Sequence, residues 1–495
     1  MTTGCTTDSP VAAPAPHVLV VPYPGQGHTI PILDLAGLLT ARGLRLTVVA
    51  TPATAPLLGS FLAAHPGGAV RALTLPFPSH PAFPAGVESA KGCPPALFGA
   101  LIVAFAGLRG PLGSWLRPRS GTPDRVVAIL SDFFCGWTQP LTAELGVPRI
   151  AFSSSAVCAT AVLHSLLRRL PTHEDESEDE CPVAFPDLPG APLSVLYRTY
   201  EEGDEVAEGV RSNFLWNLDS SAFVSNAFRH LEGRYLEAPL ADLGFTRVRA
   251  VGPLAPEAHD AASSRGGETA LSAAHLCAWL DKFEDGSVLY ISFWSMAVLQ
   301  PAHAAALAAA LERTRAAFVW AVGAAATLPE GFEERHAAAA ASGRGMVIRG
   351  WAPQVAARRH RTVGWFVTHC GWNSVLEAAA AGVRIRAWPM AADLFVNARL
   401  LVDELRAAVP VCWGGLDTAP RVDELVRVFE LTVAGKGKEW GDLTARAMEL
   451  GSGGGCAGRR QRQLVAGGGG FGPGAPRARG LHTPYSSRLK PAKPR

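Results

Sequence analysis

Short apolar runs with no polar alternation recur along this chain, separated by helix-like stretches. HVLVVPYP from His17 opens the series and the loop GQGH follows it. A helix with Pro31 near its first turn then runs through LDLAGLLTAR and stops at Gly43. LRLTVVAT is the next strand, and the rhythm returns in RVVAILSDF, the helix GWTQPLTAELG and the strand PRIAFSS. Strands apolar on successive residues must be covered on both faces. A parallel sheet with crossover helices on either side does that.

An Ala-, Ser- and Gly-rich break lies around residues 255–273. Beyond it the pattern restarts with SVLYISF, AHAAALAAALERT, AAFVWAV, MVIRGWAP, WFVTHC, SVLEAAAAG and RIRAWP. The expected fold is α/β, with two doubly wound, Rossmann-like domains and a cleft between them. The domains are expected at 16–250 and 274–445, joined by a linker at 251–273. The acidic run 172–181 reads as a solvated loop. Residues 446–495 turn Gly-, Pro- and Arg-rich and are expected to be disordered.

Composition removes several function classes. Nine scattered cysteines without a C-x-x-C fit reduced thiols in a cytoplasmic setting. The N-terminus shows no basic and apolar leader. The longest uncharged apolar run, Pro94 to Leu108, is short for a membrane span and reads as a buried helix. Net charge is +2, but nine Lys/Arg and no Asp/Glu fall from Gly451 onward, so the body is net acidic and no nucleic-acid partner is expected. GQGHTI has Ile30 where a dinucleotide fingerprint needs its third Gly, and no acid ends the second strand. There is no P-loop, no zinc spacing and no G-x-S-x-G.

The densest chemistry lies between Trp351 and Leu394, in WAPQVAARRHRTVGWFVTHCGWNSVLEAAAAGVRIRAWPMAADL. The strand WFVTHC ends in a Gly turn, and a helix is expected to begin near Asn373 or Ser374. First-turn amides attract an anion; Asn373, Ser374 and His369 add donors. Ser374 and Glu377 also have the spacing of a capping box, which needs no ligand. That reading leaves Trp351, Gln354, His369, Trp372 and Asp393 unexplained. A flat indole can stack on a base, and a carboxylate can take two ribose hydroxyls.

A second cluster is His28 and Asp132. His28 follows the first strand and Asp132 ends the strand RVVAILSD, which puts both at the carboxyl edge of one sheet, where open α/β sheets bind ligands. A carboxylate bonded to one imidazole nitrogen fixes the tautomer, and the other nitrogen can take a proton from a hydroxyl. For Asp132 alone, a helix cap before FFCGWTQPL is the plainer reading.

The Trp351–Leu394 stretch resembles the signature box of plant secondary-product UDP-glycosyltransferases, a family with the GT-B fold. The likeness extends over about 16–445, through VPYPGQGHTIPILDLA, SDFFCGWT and VSNAF. It implies that Trp351 stacks on uracil and Gln354 bonds it. Glu377 would hold the ribose; Ser295, His369, Asn373 and Ser374 would hold the diphosphate; Trp372 and Asp393 would face the sugar. It assigns His28 and Asp132 as the catalytic pair. It also implies inverting, metal-independent transfer from a UDP-sugar to a small phenolic such as a flavonoid, in a pocket that Phe83, Phe133 and Trp137 would line.

Four departures stand out. Leu394 replaces a Gln expected to bond sugar hydroxyls, which brings a rhamnosyltransferase or slow glucosyl transfer into view. Trp294 replaces a Gly near the phosphates, and Arg384 replaces a Pro, with an effect expected to be structural. The Gly/Arg-rich tail replaces a helix that would cross back onto the first domain, as a shifted reading frame or mispredicted exon would produce; sequencing the transcript across Glu449 tests that. Leu394, Trp294 and the missing terminal helix motivate a rival: a catalytically impaired UDP- or phenolic-binding protein.

Overall fold

The structure, a computed structural model, describes residues 14–454 except 92, 171–181, 186–187, 193–201, 238–247, 255–268, 294–298, 315, 324–325, 337–342 and 435–440. The acidic run, most of the expected linker, Trp294, Ser295 and the tail beyond 454 therefore lie outside the described residues.

The first sheet contains β1 (His17–Val21), β2 (Arg45–Ala50), β3 (Val70–Thr74), β4 (Val126–Asp132) and β5 (Arg149–Ser153). A separate antiparallel hairpin, β6 (Pro182–Phe185) and β7 (Leu188–Pro192), precedes its last strands, β8 (Ala222–Ser225) and β9 (Arg249–Ala250). The order is β3-β2-β1-β4-β5-β8-β9, parallel throughout. The second sheet is β10 (Val288–Ser292), β11 (Ala317–Val322), β12 (Gly345–Arg349), β13 (Val363–Thr368), β14 (Arg384–Ala387) and β15 (Ala408–Pro410). Its order, β12-β11-β10-β13-β14-β15, is also parallel throughout. Burial explains the choice: β1 and β13 are buried at every position.

Chain direction across each sheet reverses once, between β1 and β4 and again between β10 and β13. Such switch points open a crevice at the carboxyl ends of the strands. The helices that matter to those crevices are α1 (Gln26–Thr40), α2 (Phe98–Ala106), α3 (Val157–Arg169), α4 (Glu205–Leu215) and α5 (Arg229–Glu237) in the first domain. In the second they are α6 (Gln354–Arg359), α7 (Trp372–Ala381) and α8 (Asp393–Arg399).

Helix starts differ from the sequence expectation. α1 begins at Gln26, so His28 is helical and Pro31 sits inside the helix rather than at its first turn. Here tertiary contacts outweigh the preference of Pro for a first turn. α7 begins at Trp372, with Gly371 as its N-cap, one to two residues before the expected start. Ser374 is therefore the third helical residue and cannot be the cap of a capping box.

The ordered body also extends past residue 446: a helix covers residues 441–454. Its end packs on the first domain so closely that a Cβ at Gly453 would lie 2.6 Å from the His230 ring, and one at Gly454 3.4 Å from Phe228. The stretch Phe98–Arg119 has the length and apolarity of a membrane span by composition, which the run read from sequence did not, but 50% of that window is packed inside the fold.

Candidate active site

His28 lies in the first turn of α1, directly after β1, and Asp132 is the last residue of β4. The β1–β4 pairing brings the two strand ends side by side. Nδ1 of His28 lies 3.0 and 3.1 Å from the two carboxylate oxygens of Asp132 and 3.1 Å from Oγ of Ser154. Asp132 is fully buried, and the same carboxylate accepts the Phe134 amide at 2.8 Å. Both sequence readings of this residue are thus correct: it caps the following turn and it holds the histidine. Tyr23, Phe133 and Phe134 surround the imidazole, with ring centroids 4.6–5.8 Å away. With Nδ1 engaged, Nε2 is the ring nitrogen left for a substrate proton.

The opposite wall is the β13–α7 turn. Cys370 takes a left-handed φ of 65°, an uncommon conformation for a residue with a side chain. Gly371 is required next: a Cβ there would lie 2.3 Å from Nε2 of His369. His369 is buried, and desolvation lowers its pKa to about 4, against the pull of the Ser292 main chain. It is therefore a neutral hydrogen-bonding group at pH 7, and the positive potential here comes from the first-turn amides of α7.

His28, Trp351, Gln354, His369, Trp372, Asn373, Ser374, Glu377 and Asp393 line one cavity of about 800 Å3. Asp132 stands behind His28 and touches the cavity only through it. Trp351 follows Gly350, whose φ of 88° turns the chain out of β12, and Gln354 starts α6. Glu377 forms an ion pair with the fully buried guanidinium of Arg358, one turn along α6 from Gln354. Any ribose contact must share that carboxylate.

Three hydrogen bonds cross between the domains at this point. The Trp372 indole N–H donates to the Asn226 carbonyl at 2.7 Å, so its polar edge is committed to the first domain rather than free for a sugar. The Asn373 amide donates to the Gly27 carbonyl at 2.7 Å. The Ser155 hydroxyl donates to Asp393 at 2.5 Å. Burial pushes the Asp393 carboxyl up, while Ser155 and nearby His28 pull it down.

The far end of the cavity is apolar and is formed by Phe98 and Ile102 of α2, Leu163 and Leu167 of α3, Val206 and Val210 of α4, and Phe133 and Phe134. Phe133 was expected there. Phe83 and Trp137 were expected too, but neither lines the cavity: Phe83 packs against Phe77 and Trp137 against Phe105 in the core. Arg384 is structural, as expected: it donates to the Gly364 carbonyl at 3.0 Å and lies over Trp365. Leu394 is buried and lines the cavity beside Asp393.

Sequence reasoning missed Ser154, Ser155 and Arg358. The predicted strand PRIAFSS ends at Ser154, at a sheet's carboxyl edge, which was the available signal for Ser154 and the Ser155 that follows it. Arg358 falls four residues after Gln354 on one helix face, but nothing in its spacing marks it as buried.

Comparison with known proteins gives the chain's family. The family model described as glycosyltransferase, N-terminal domain matches residues 16–256, and that described as UDP-glucoronosyl and UDP-glucosyl transferase matches residues 266–419. A flavonol 3-O-glucosyltransferase of Arabidopsis thaliana is 44% identical over 439 residues, covering 86% of this chain and 89% of the relative. The crystal structure of Arabidopsis thaliana UGT89C1 complexed with UDP-L-rhamnose superimposes with a TM-score of 0.73 at 33% identity, covering 92% of this chain and 99% of that one. The same protein complexed with quercetin gives 0.71 at 33% identity, with the same coverage of 92% and 99%. The fold is GT-B, and the chain belongs to the UDP-glycosyltransferase family.

Proposed function

We propose that this enzyme transfers a sugar from a UDP-sugar to a hydroxyl of a flavonoid-like phenolic, with inversion at the anomeric carbon. The observation that carries the proposal is the placement of His28 and the α7 N-terminus on one cavity, joined by the 2.7 Å bond between Asn373 and Gly27. The acceptor rests against the apolar wall with its hydroxyl at Nε2 of His28. Nε2 takes the proton as the acceptor oxygen bonds to the anomeric carbon, and Asp132 stabilises the resulting imidazolium. The bond from that carbon to the β-phosphate oxygen breaks, and UDP leaves with the electron pair. The α7 amides, Ser374 and neutral His369 take up the charge that develops on the diphosphate.

On the donor side Trp351 stacks on uracil, Gln354 bonds its edge, and Glu377 holds the ribose while paired with Arg358. Asp393 binds sugar hydroxyls, shared with Ser155; the phosphate contact that the resemblance implies for Ser295 falls outside the described residues. Leu394 offers no amide to the sugar, so donor choice rests on Asp393 and the shape of the pocket. The reaction as written uses no metal. The flavonol glucosyltransferase relative, the quercetin complex of UGT89C1 and the apolar wall support a phenolic acceptor. The free described cysteines, four of them buried, suit a reducing cytoplasm.

Purified enzyme incubated with UDP-glucose, UDP-rhamnose and UDP-galactose against a phenolic panel should glycosylate at least one flavonol. UDP binding without turnover on any pair would instead make the protein an impaired binder. The intact His28–Asp132 pair favours the active enzyme.

A further inference from the structure

Pro31 is the sixth residue of α1 and has no N–H. In a regular helix the amide of residue 31 would bond the carbonyl of residue 27. That carbonyl is instead reached by the Asn373 amide at 2.7 Å, from the first turn of α7 in the other domain. Gly27 is the residue before His28. A helix-interior proline, normally a defect, thus frees one carbonyl beside the base, and the second residue of the diphosphate-binding helix uses it.

We propose that Asn373 is a positioning residue: through Gly27 it ties the imidazole of His28 to the helix on which the donor sits. The bond fixes the first turn of α1 against the first turn of α7. The base and the departing diphosphate are then held at a set separation across the cleft. This inference rests on the proposed function and adds to it, because it gives Asn373 a task across the cleft besides any contact with phosphate. It also gives Pro31 a reason to stand inside a helix.

The test is a double-mutant cycle. Pro31→Ala supplies the missing N–H, which competes for the Gly27 carbonyl while touching no ligand. Alanine is the better helix former, so the unfolding midpoint should hold or rise. We expect kcat to fall about three- to tenfold, as loss of one ordinary hydrogen bond gives, with UDP affinity measured by calorimetry unchanged. In an Asn373→Ala background the same Pro31→Ala change should cost nothing further. Equal losses in both backgrounds, or an undiminished kcat in Pro31→Ala, would overturn the proposal. A second reading needs no activity: the backbone amides of residues 28–30 should exchange faster in Asn373→Ala than in wild type, and unchanged exchange there would also overturn it. Should wild type transfer no sugar at all, the proposed function fails while the exchange measurement still decides the tether.

Discussion

The donor wall of the cleft draws Trp351, Gln354, His369, Asn373, Ser374, Glu377 and Asp393 from one continuous stretch of chain, whereas the acceptor wall gathers Phe98, Leu163 and Val206 from three separate helices. The first wall is polar and locally determined. A strand end, a left-handed residue, an obligatory glycine and a helix start fix its groups relative to one another. The second is apolar and depends on how whole helices pack. A polar constellation suits a nucleotide diphosphate, whose groups call for directed hydrogen bonds, while an apolar surface suits acceptors of varied outline. His28 belongs to the second wall by sequence and to the first by contact, through Gly27 and Asn373.

That contrast can be broken by experiment. The largest effect is expected at the seam. His28→Ala should lower kcat by about 10² to 10⁴ with UDP affinity retained; a parallel loss of UDP binding would mean that the imidazole belongs to the donor site. Next comes Glu377→Ala. It strands the buried Arg358 guanidinium without its carboxylate, and breaking such a pair costs about 3–5 kcal/mol. The unfolding midpoint should therefore drop in the absence of any ligand. A variant that loses UDP affinity at unchanged stability would place Glu377 with the ligand alone. Trp351→Ala should weaken UDP by about 1–3 kcal/mol, the range for stacking one base on an aromatic ring, with kcat largely kept at saturating donor.

The smallest effect separates the walls by pH. His369 titrates near 4, below its ordinary value of about 6.5, so the unfolded chain binds more protons between those values and this contribution to stability is lost as pH falls through that window. Glu232 of α5 behaves oppositely. It caps α3 by accepting the Val157 and Cys158 amides at 2.9 and 3.0 Å, yet burial raises its pKa to about 7. Its contribution is full below its ordinary value of about 4.3 and is lost as pH rises toward 7. Unfolding midpoints of His369→Gln and Glu232→Gln, each taken relative to wild type from pH 4.5 to 6.5, should slope in opposite directions.

Much of the molecule was readable before folding, and the reasons differ by region. β1, β4, β5, β10 and β13 announced themselves because strands buried on both faces carry no polar alternation. The residues proposed for the donor stood out together because they are close in sequence and line one cavity. His28 and Asp132 could be paired because one follows and the other ends a strand of the same sheet. The rest depends on distance in sequence. Nothing local shows that Pro31 is tolerated inside α1, that Trp372 spends its indole N–H on Asn226, or that Arg358 turns inward to Glu377. Phe83 and Trp137 looked like Phe133 in the sequence because aromatic residues suit a core and a pocket wall equally.

The central claim is that both substrates occupy one cleft at once, with His28 between them. Initial rates measured while UDP-sugar and phenolic acceptor are varied together test it most directly. Direct displacement within a ternary complex predicts reciprocal plots that intersect. Parallel lines, the mark of a sugar parked covalently on the protein after UDP has left, would contradict it.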